Sequence, residues 1–178
     1  MYIQVKKIET ERLLLRELKK SDLNDYIEYR KNPEHHRFLS SNASDDINVY
    51  KDSVNECVEK YKTEWPRLYW AIELKSQKKM IGAVSVEEHS RMHKFVSIGW
   101  GLNLDYQGQG YAFEAVSAFI DYLFQNQDIN RIEIVIWKGN DRSEKLAKKL
   151  GFKYEGTKVK SRYKNGKCYD ALLYALLK

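Results

Sequence analysis

Proline and glycine are scarce in this chain, with 2 Pro and 9 Gly in 178 residues. That scarcity excludes collagen-like and linker-rich architecture, and a hydrophobic content of 43% excludes wholesale disorder. Cysteine is too sparse for a disulfide framework: Cys57 and Cys168 stand far apart and read as free thiols in a reducing cytosol. Long apolar runs are missing as well, and none approaches the roughly 18 residues of a membrane helix. Residues 1–7 run straight into charge instead of an apolar signal core, so a cytoplasmic protein is expected. Metal-ligand spacing is also lacking, because the adjacent His35 and His36 make a poor zinc clamp; no metal is expected. At about 100–200 residues per domain, residues 1–178 are expected to form a single domain.

Positive charge, by contrast, is concentrated. Residues 131–178 carry 13 Lys and Arg against 5 Asp and Glu, whereas the first 130 carry 18 against 20. A basic C-terminal third suits a polyanionic ligand, either a phosphorylated cofactor or nucleic acid. A nucleic-acid reading finds no recognition motif and ranks last.

Periodicity predicts the order β-α-α-β-β-β-α-β-α-β-β, an α+β arrangement. Glu11–Leu18 reads as a buried strand, and Ser21-Asp22 opens a helix that Asn32-Pro33 stops. A second helix begins near Asp45 and ends at Pro66. Three strands follow, Tyr69–Leu74, Met80–Glu87 and Phe95–Leu104, joined by short polar loops as an antiparallel meander. From Gly110, the residues Ala112, Ala115, Val116, Phe119, Ile120 and Leu123 form a helical stripe. Arg131–Trp137 is a central strand, Asn140-Asp141 caps a short helix, and Gly151 terminates it. Phe152–Val159 and Cys168–Leu177 close as a pair around Lys164–Lys167.

The chemistry gathers at Leu104-Asp105-Tyr106-Gln107-Gly108-Gln109-Gly110-Tyr111-Ala112, where a strand hands over to a helix. A helix start leaves backbone N–H groups unpaired at the positive end of its dipole, and glycines let a phosphate reach them. A dinucleotide fingerprint fails because Phe113 stands where a third Gly is needed. A P-loop fails because the Gly166-Lys167 pair precedes Cys168 in a hairpin turn. What remains, Gln107-x-x-Gly110-x-Ala112, resembles the pyrophosphate loop of the GNAT N-acetyltransferases. Thr10–Arg16 with Ser21-Asp22, Asn130-Arg131-Ile132, Asn140-x-x-Ser143, Leu150-Gly151-Phe152, Glu155-Gly156 and Asn165-Gly166 with Asp170 resemble, in collinear order, the RimJ/RimL-like branch.

That resemblance implies a GNAT fold with a mixed, mostly antiparallel sheet, and transfer of acetyl from acetyl-CoA to a primary amine in a ternary complex. The acceptor would be a peptide or protein N-terminus, a polyamine or another small amine; a homodimer is a common form among relatives. The cofactor would lie on Trp100, Gly101, Leu102, Leu104, Gln107, Gly108, Gln109, Gly110, Tyr111, Ala112, Asn140 and Ser143, with Arg142 and Lys145 near its 3′-phosphate. Many GNAT enzymes place a Tyr general acid where this chain has Ala147, so Ser143 is the expected hydrogen-bond donor to the CoA sulfur. A carboxylate common in relatives is replaced by Ser97. That leaves Glu87 or Glu88 as base, with alternation sending only one of them to any given face; Asp170 or a water chain are the other choices. Asp170 and Phe38 are expected at the acceptor, whose surroundings in residues 20–64 carry 10 acidic and 7 basic side chains. Phe38, Tyr50, Trp65 and Tyr69 are candidate pocket walls, although core packing competes for them. The loss of Tyr at 147 and Glu at 97 keeps open a rival, a catalytically silent CoA-binding sensor with the same fold.

Overall fold

The computed structural model describes residues 3, 5–61 and 68–178. Among these, the strands are β1 (Ile8–Glu9), β2 (Leu13–Arg16), β3 (Leu68–Leu74), β4 (Lys79–Ser90), β5 (Phe95–Leu102), β6 (Arg131–Trp137), β7 (Lys153–Lys164) and β8 (Lys167–Leu177). The α-helices are α1 (Leu23–Lys31), α2 (Ile47–Lys60), α3 (Tyr111–Asn126) and α4 (Asp141–Lys149). One sheet holds the strands in the order β1-β2-β3-β4-β5-β6-β8-β7. Its neighbours are antiparallel except for the parallel pair β5 and β6, which α3 connects. This is the α+β, mostly antiparallel architecture expected. No helix among the described residues is long and apolar enough to cross a membrane.

Each face of the sheet is covered for a reason visible in the residue pattern. Ala115, Val116, Phe119, Ile120 and Leu123 of α3 bury their stripe against Leu13, Leu15, Trp70, Ile72, Val84, Val86, Val96 and Ile98. Trp70 and Phe119 meet ring to ring at 4.8 Å. Burying each of the larger side chains, Val116, Phe119, Ile120 and Leu123, is worth about 1.5–3 kcal/mol. On the opposite face, Tyr29 of α1 and Val54 of α2 pack on Ala71 and Met80.

Several boundaries differ from expectation. The first strand is only Leu13–Arg16, because Arg16 turns its guanidinium to Asp22 and Glu73 at 2.8 and 2.6 Å. Asp22 therefore does not cap α1 with its side chain; it accepts from Arg16 and from the Lys19 N–H, and a 3₁₀ turn at Lys20–Asp22 precedes the helix. The short strand Ile8–Glu9 was not anticipated, being too brief to show a period. β5 ends at Leu102 because the Asn103 side chain caps a 3₁₀ turn over Leu104–Tyr106. The final hairpin is longer than expected, since paired register continues to Lys164 and Lys167 around Asn165 and Gly166, both at positive φ. The expected helix stop at Pro66 and the pocket wall at Trp65 lie outside the described residues.

What positions a site is the parting of β5 from β6. Only Phe95–Ser97 pairs with Arg131–Glu133. Beyond that point β5 stays bonded to β4 through Leu102, and β6 stays bonded to β8 through Trp137. A wedge therefore opens between Ile98–Leu102 and Ile134–Trp137.

Candidate active site

The loop from Gln107 to Gly110 stands at the β5 side of this wedge. Gly108 and Gly110 hold φ of +78° and +83°, a conformation that costs any residue with a Cβ about 1–2 kcal/mol. Gly110 is the N-cap of α3, and its carbonyl accepts from Glu114 N–H at 3.0 Å. Among the described residues, no protein acceptor takes a hydrogen bond from the amides of Gly108 through Phe113. The result is a run of exposed or half-buried N–H donors at the positive end of a 16-residue helix. Such an end is built for a phosphate.

Side chains brace this loop from three directions. The Gln107 amide donates to Leu102 O at 3.2 Å and accepts from Arg142 at 2.6 Å, tying the loop to β5 and α4. Gln109 donates to Asp105 O. Arg12 donates to Gln109 O at 3.1 Å, pairs with Glu114 at 2.6 Å and lies over the Tyr111 ring at 4.5 Å. Burial opposes ionisation of Glu114, but hydrogen bonds from Thr10 and Arg12 outweigh it and hold this carboxyl below the usual range. Arg12 was not singled out as a loop residue; only a register linking β2 to α3 reveals it.

Along the wedge itself, Trp100 and Leu102 send their side chains into the α3 core, and Leu104 begins the turn beyond. Gly99 and Gly101 face the other way. A Cβ on Gly101 would sit 2.3 Å from the Tyr29 hydroxyl and 3.2 Å from His35 Cε1. One on Gly99 would sit 3.1 Å from Ser85 Oγ and 3.3 Å from a Glu87 carboxylate oxygen. The Glu87 carboxylate therefore lies against β5 two residues past its last bond to β6, with the Ser85 hydroxyl donating to it.

A bulge corrects the expectation that Glu87 and Glu88 must face opposite ways. The register skips from Val86 opposite Ile98 to Glu88 opposite Ser97, leaving Glu87 as the inserted residue. Ser97 and Gly99 share a face by alternation, and directly paired residues share theirs, so both carboxylates lie on the side away from α3. Glu88 is exposed and Glu87 half-buried. Of the two, Glu87 is at the wedge.

Across the wedge, Asn140, expected at the cofactor, caps α4 by accepting from Ser143 N–H at 3.3 Å. Ser143 is half-buried in the first turn of α4, next to Arg142, whose guanidinium donates to Gln107. Ala147 is fully buried in the core shared with α3 and offers no acid. Lys145 is exposed on the same helix.

The expected acceptor residues divide. Phe38 reaches the β6–α4 turn, where a Cβ on Gly139 would lie 4.0 Å from its ring. Asp170 accepts from Lys160 N–H at 3.0 Å and pairs with Lys138 at 3.4 Å; those contacts, the Lys160 amide first, hold it below the usual carboxylate range. It is a strut of the hairpin rather than a free carboxylate. Tyr50 is 4% exposed and bonds Ser44, so it serves packing rather than the pocket, whereas Tyr69 is half-buried and stands in register with Ser85, whose hydroxyl donates to Glu87. His35, a poor metal ligand by sequence, meets the Tyr29 ring edge-on with centroids 4.3 Å apart, beside Gly101, and its Nε2 is buried and unpartnered. Burial, then the Arg30 and His36 charges, push its pKa down to about 3, so it is a neutral imidazole. No cluster of three or more metal-ligand side chains occurs among the described residues.

Comparison with known proteins agrees with this geometry. The acetyltransferase (GNAT) domain model matches residues 12–153. An uncharacterized N-acetyltransferase of Bacillus subtilis (strain 168), YoaA, is 27% identical over 171 residues, covering 96% of each chain. The ribosomal-protein-serine acetyltransferase of Escherichia coli (strain K12) is 30% identical over 96 residues, 54% of each chain. The crystal structure of the ribosomal-protein-S5-alanine acetyltransferase from Vibrio fischeri superposes with a TM-score of 0.82 at 27% identity, covering 97% of this chain and 96% of that one. The wedge, the donor row at α3 and the family match together make this chain a member of the GNAT acetyltransferase family, similar to its ribosomal-protein N-acetyltransferase branch.

Proposed function

We propose that the chain, as one catalytic domain, acetylates a primary amine, most closely a peptide or protein N-terminus, with acetyl-CoA as donor and Glu87 as general base. The observation that carries this reading is the run of undonated amides at Gly108–Phe113 opening beside the wedge between β5 and β6. Gln107 to Ala112 would hold the pyrophosphate, backbone of Trp100 to Leu102 the pantetheine arm, and Arg142 with Lys145 the outer phosphate. Bound there, acetyl-CoA supplies an activated acetyl thioester.

The chain's own groups then have distinct tasks. Glu87 takes a proton from the incoming ammonium, exposing the nitrogen lone pair; its position against Gly99 puts it beside the parted strand. Backbone N–H groups freed by the parting of β5 donate to the carbonyl oxygen as it gains charge. The Ser143 hydroxyl donates to the departing sulfur, the task Ala147 cannot perform. The neutral His35 and the Tyr29 hydroxyl wall the amine's approach at Gly101. Retained turnover, rather than the silent sensor, is favoured by a carboxylate at the wedge in place of the one missing at Ser97. Cys57 and Cys168 are free thiols, which supports a reducing, cytoplasmic setting; a homodimer rests on the resemblance to relatives.

Amine-dependent release of free CoA tests the reading. Incubation of the protein with acetyl-CoA and a panel of N-terminal peptides, polyamines and aminoglycosides is expected to release thiol only when an acceptor is present. Tight CoA binding with no thiol release across the panel would leave the sensor as the better account.

A further inference from the structure

Resting on the acetyltransferase reading, we infer that the acceptor amine is the N-terminus of a peptide with acidic side chains next to it, not a polyamine. Three segments converge at the acceptor end of the wedge: residues 33–42, residues 137–139 and the protruding hairpin 159–170. Lys164 Nζ crosses from the hairpin tip to His36 O and Ser41 O at 2.5 and 3.2 Å, and Asn42 bonds Asn165 at 3.1 Å. Phe38 lies against Gly139, and Tyr169 packs on Trp137 with ring centroids 5.4 Å apart. The three segments thus form one rim.

That rim is basic. It carries Arg37, Lys138, Lys160, Arg162, Lys164 and Lys167 against Glu34 and Asp170. Both acids are engaged locally, Glu34 with Arg37 at 3.8 Å and Asp170 with Lys138 and the Lys160 amide. His35 adds no charge near neutral pH.

Five of the ten acidic side chains of residues 20–64, whose composition favours a cationic acceptor, are engaged elsewhere. Asp22 serves Arg16, Asp25 accepts from Met80 N–H, Glu28 holds Lys79 and Asn103, Asp46 caps α2, and Glu56 pairs with Lys60. A molecule crowded with ammonium groups would meet a rim of six cations against two carboxylates. A single α-ammonium followed by carboxylates would meet complementary charge, its carboxylates on the Lys138–Lys160 side and its amine passing inward to Glu87. The Phe38, Trp137 and Tyr169 rings supply an apolar wall for the first side chain.

The test compares kcat/KM for three acceptors of one peptide series, with acidic, neutral and basic residues after the N-terminus, together with spermidine, at low and high salt. The acidic peptide is expected to lead the basic one by about tenfold or more at low salt, with the gap narrowing as salt rises. Replacing Lys160→Glu and Arg162→Glu together is expected to erase that preference while leaving KM for acetyl-CoA unchanged; that KM and a thermal melt matching the parent show that the variant is folded. Equal rates across the series, or a preference for the basic peptide or spermidine, would overturn the inference while leaving the acetyltransferase intact. Absence of transfer to every amine would overturn both.

Discussion

Glu87 is the residue on which the proposed chemistry turns. Its carboxylate is held against Gly99 by a strand bulge and accepts from Ser85, so Glu87→Gln keeps the shape and removes the proton acceptor. The expected outcome is a fall in kcat of about 10²–10⁴-fold with acetyl-CoA affinity unchanged, read by steady-state kinetics beside a binding titration. Glu88→Gln is the control, and it should remain within a few-fold of the parent. His35 makes a second residue-scale prediction. Its imidazole is expected to stay neutral well below pH 5, so its ring-proton NMR shift should show no titration near 6.5. Since the native ring binds its proton only near pH 3 and an unfolded one near 6.5, this group's contribution to stability is complete above pH 6.5 and fades as pH falls toward 3. A titration midpoint near 6.5 would show that the ring is solvated and does not wall the site. Neither role could be read from the residue alone. The bulge that brings Glu87 and Glu88 to one face breaks the alternation on which reading depends, and the burial of His35 needs β5, distant in sequence, as well as the neighbouring α1.

Elements carry two further predictions. The α3 entry is legible in the sequence because Gly108 and Gly110 fall where a strand pattern gives way to a 3.6-residue one, and the structure gives both positive φ. Its brace is not legible, because Arg12 reaches Gln109 and Glu114 across about a hundred residues of chain. Arg12→Ala should raise KM for acetyl-CoA several-fold with little change in kcat, and Arg12→Lys should recover only part of it, since an ammonium cannot make the forked contacts. The second concerns the β2–α1 corner. Arg16 is 4% exposed, and although burial works against its charge, hydrogen bonds to Asp22 and Glu73 hold its pKa above the ordinary value. Arg16→Leu would leave two carboxylates without their cation and should destabilise the protein by about 3–5 kcal/mol in chemical denaturation. A strand reading of Glu11–Leu18 missed this corner because Leu18 resumes an apolar position after Arg16 and Glu17; the pairing of Arg16 with Asp22 ends the strand.

At the scale of the whole molecule, the wedge exists because β6 takes β8, not β5, as its full-length partner. The element order in the sequence anticipates the helix between two parallel strands but is silent on where they part, since register depends on contacts between segments. The two ends of the wedge differ in charge and, in the proposed reading, in purpose: a helix-dipole end with bare amides for the anionic cofactor, and a rim of aromatic and basic side chains for the acceptor. The central claim is that those amides, from Gly108 to Phe113, grip the CoA pyrophosphate. Calorimetric titration of CoA into the parent protein and a Gly110→Val variant, each checked by thermal melting, tests it most directly. The account predicts saturable one-to-one binding to the parent and at least a tenfold weaker affinity in a folded variant, as a side chain at φ +83° reshapes the loop and blocks the approach. Equal affinities in two folded proteins would contradict it.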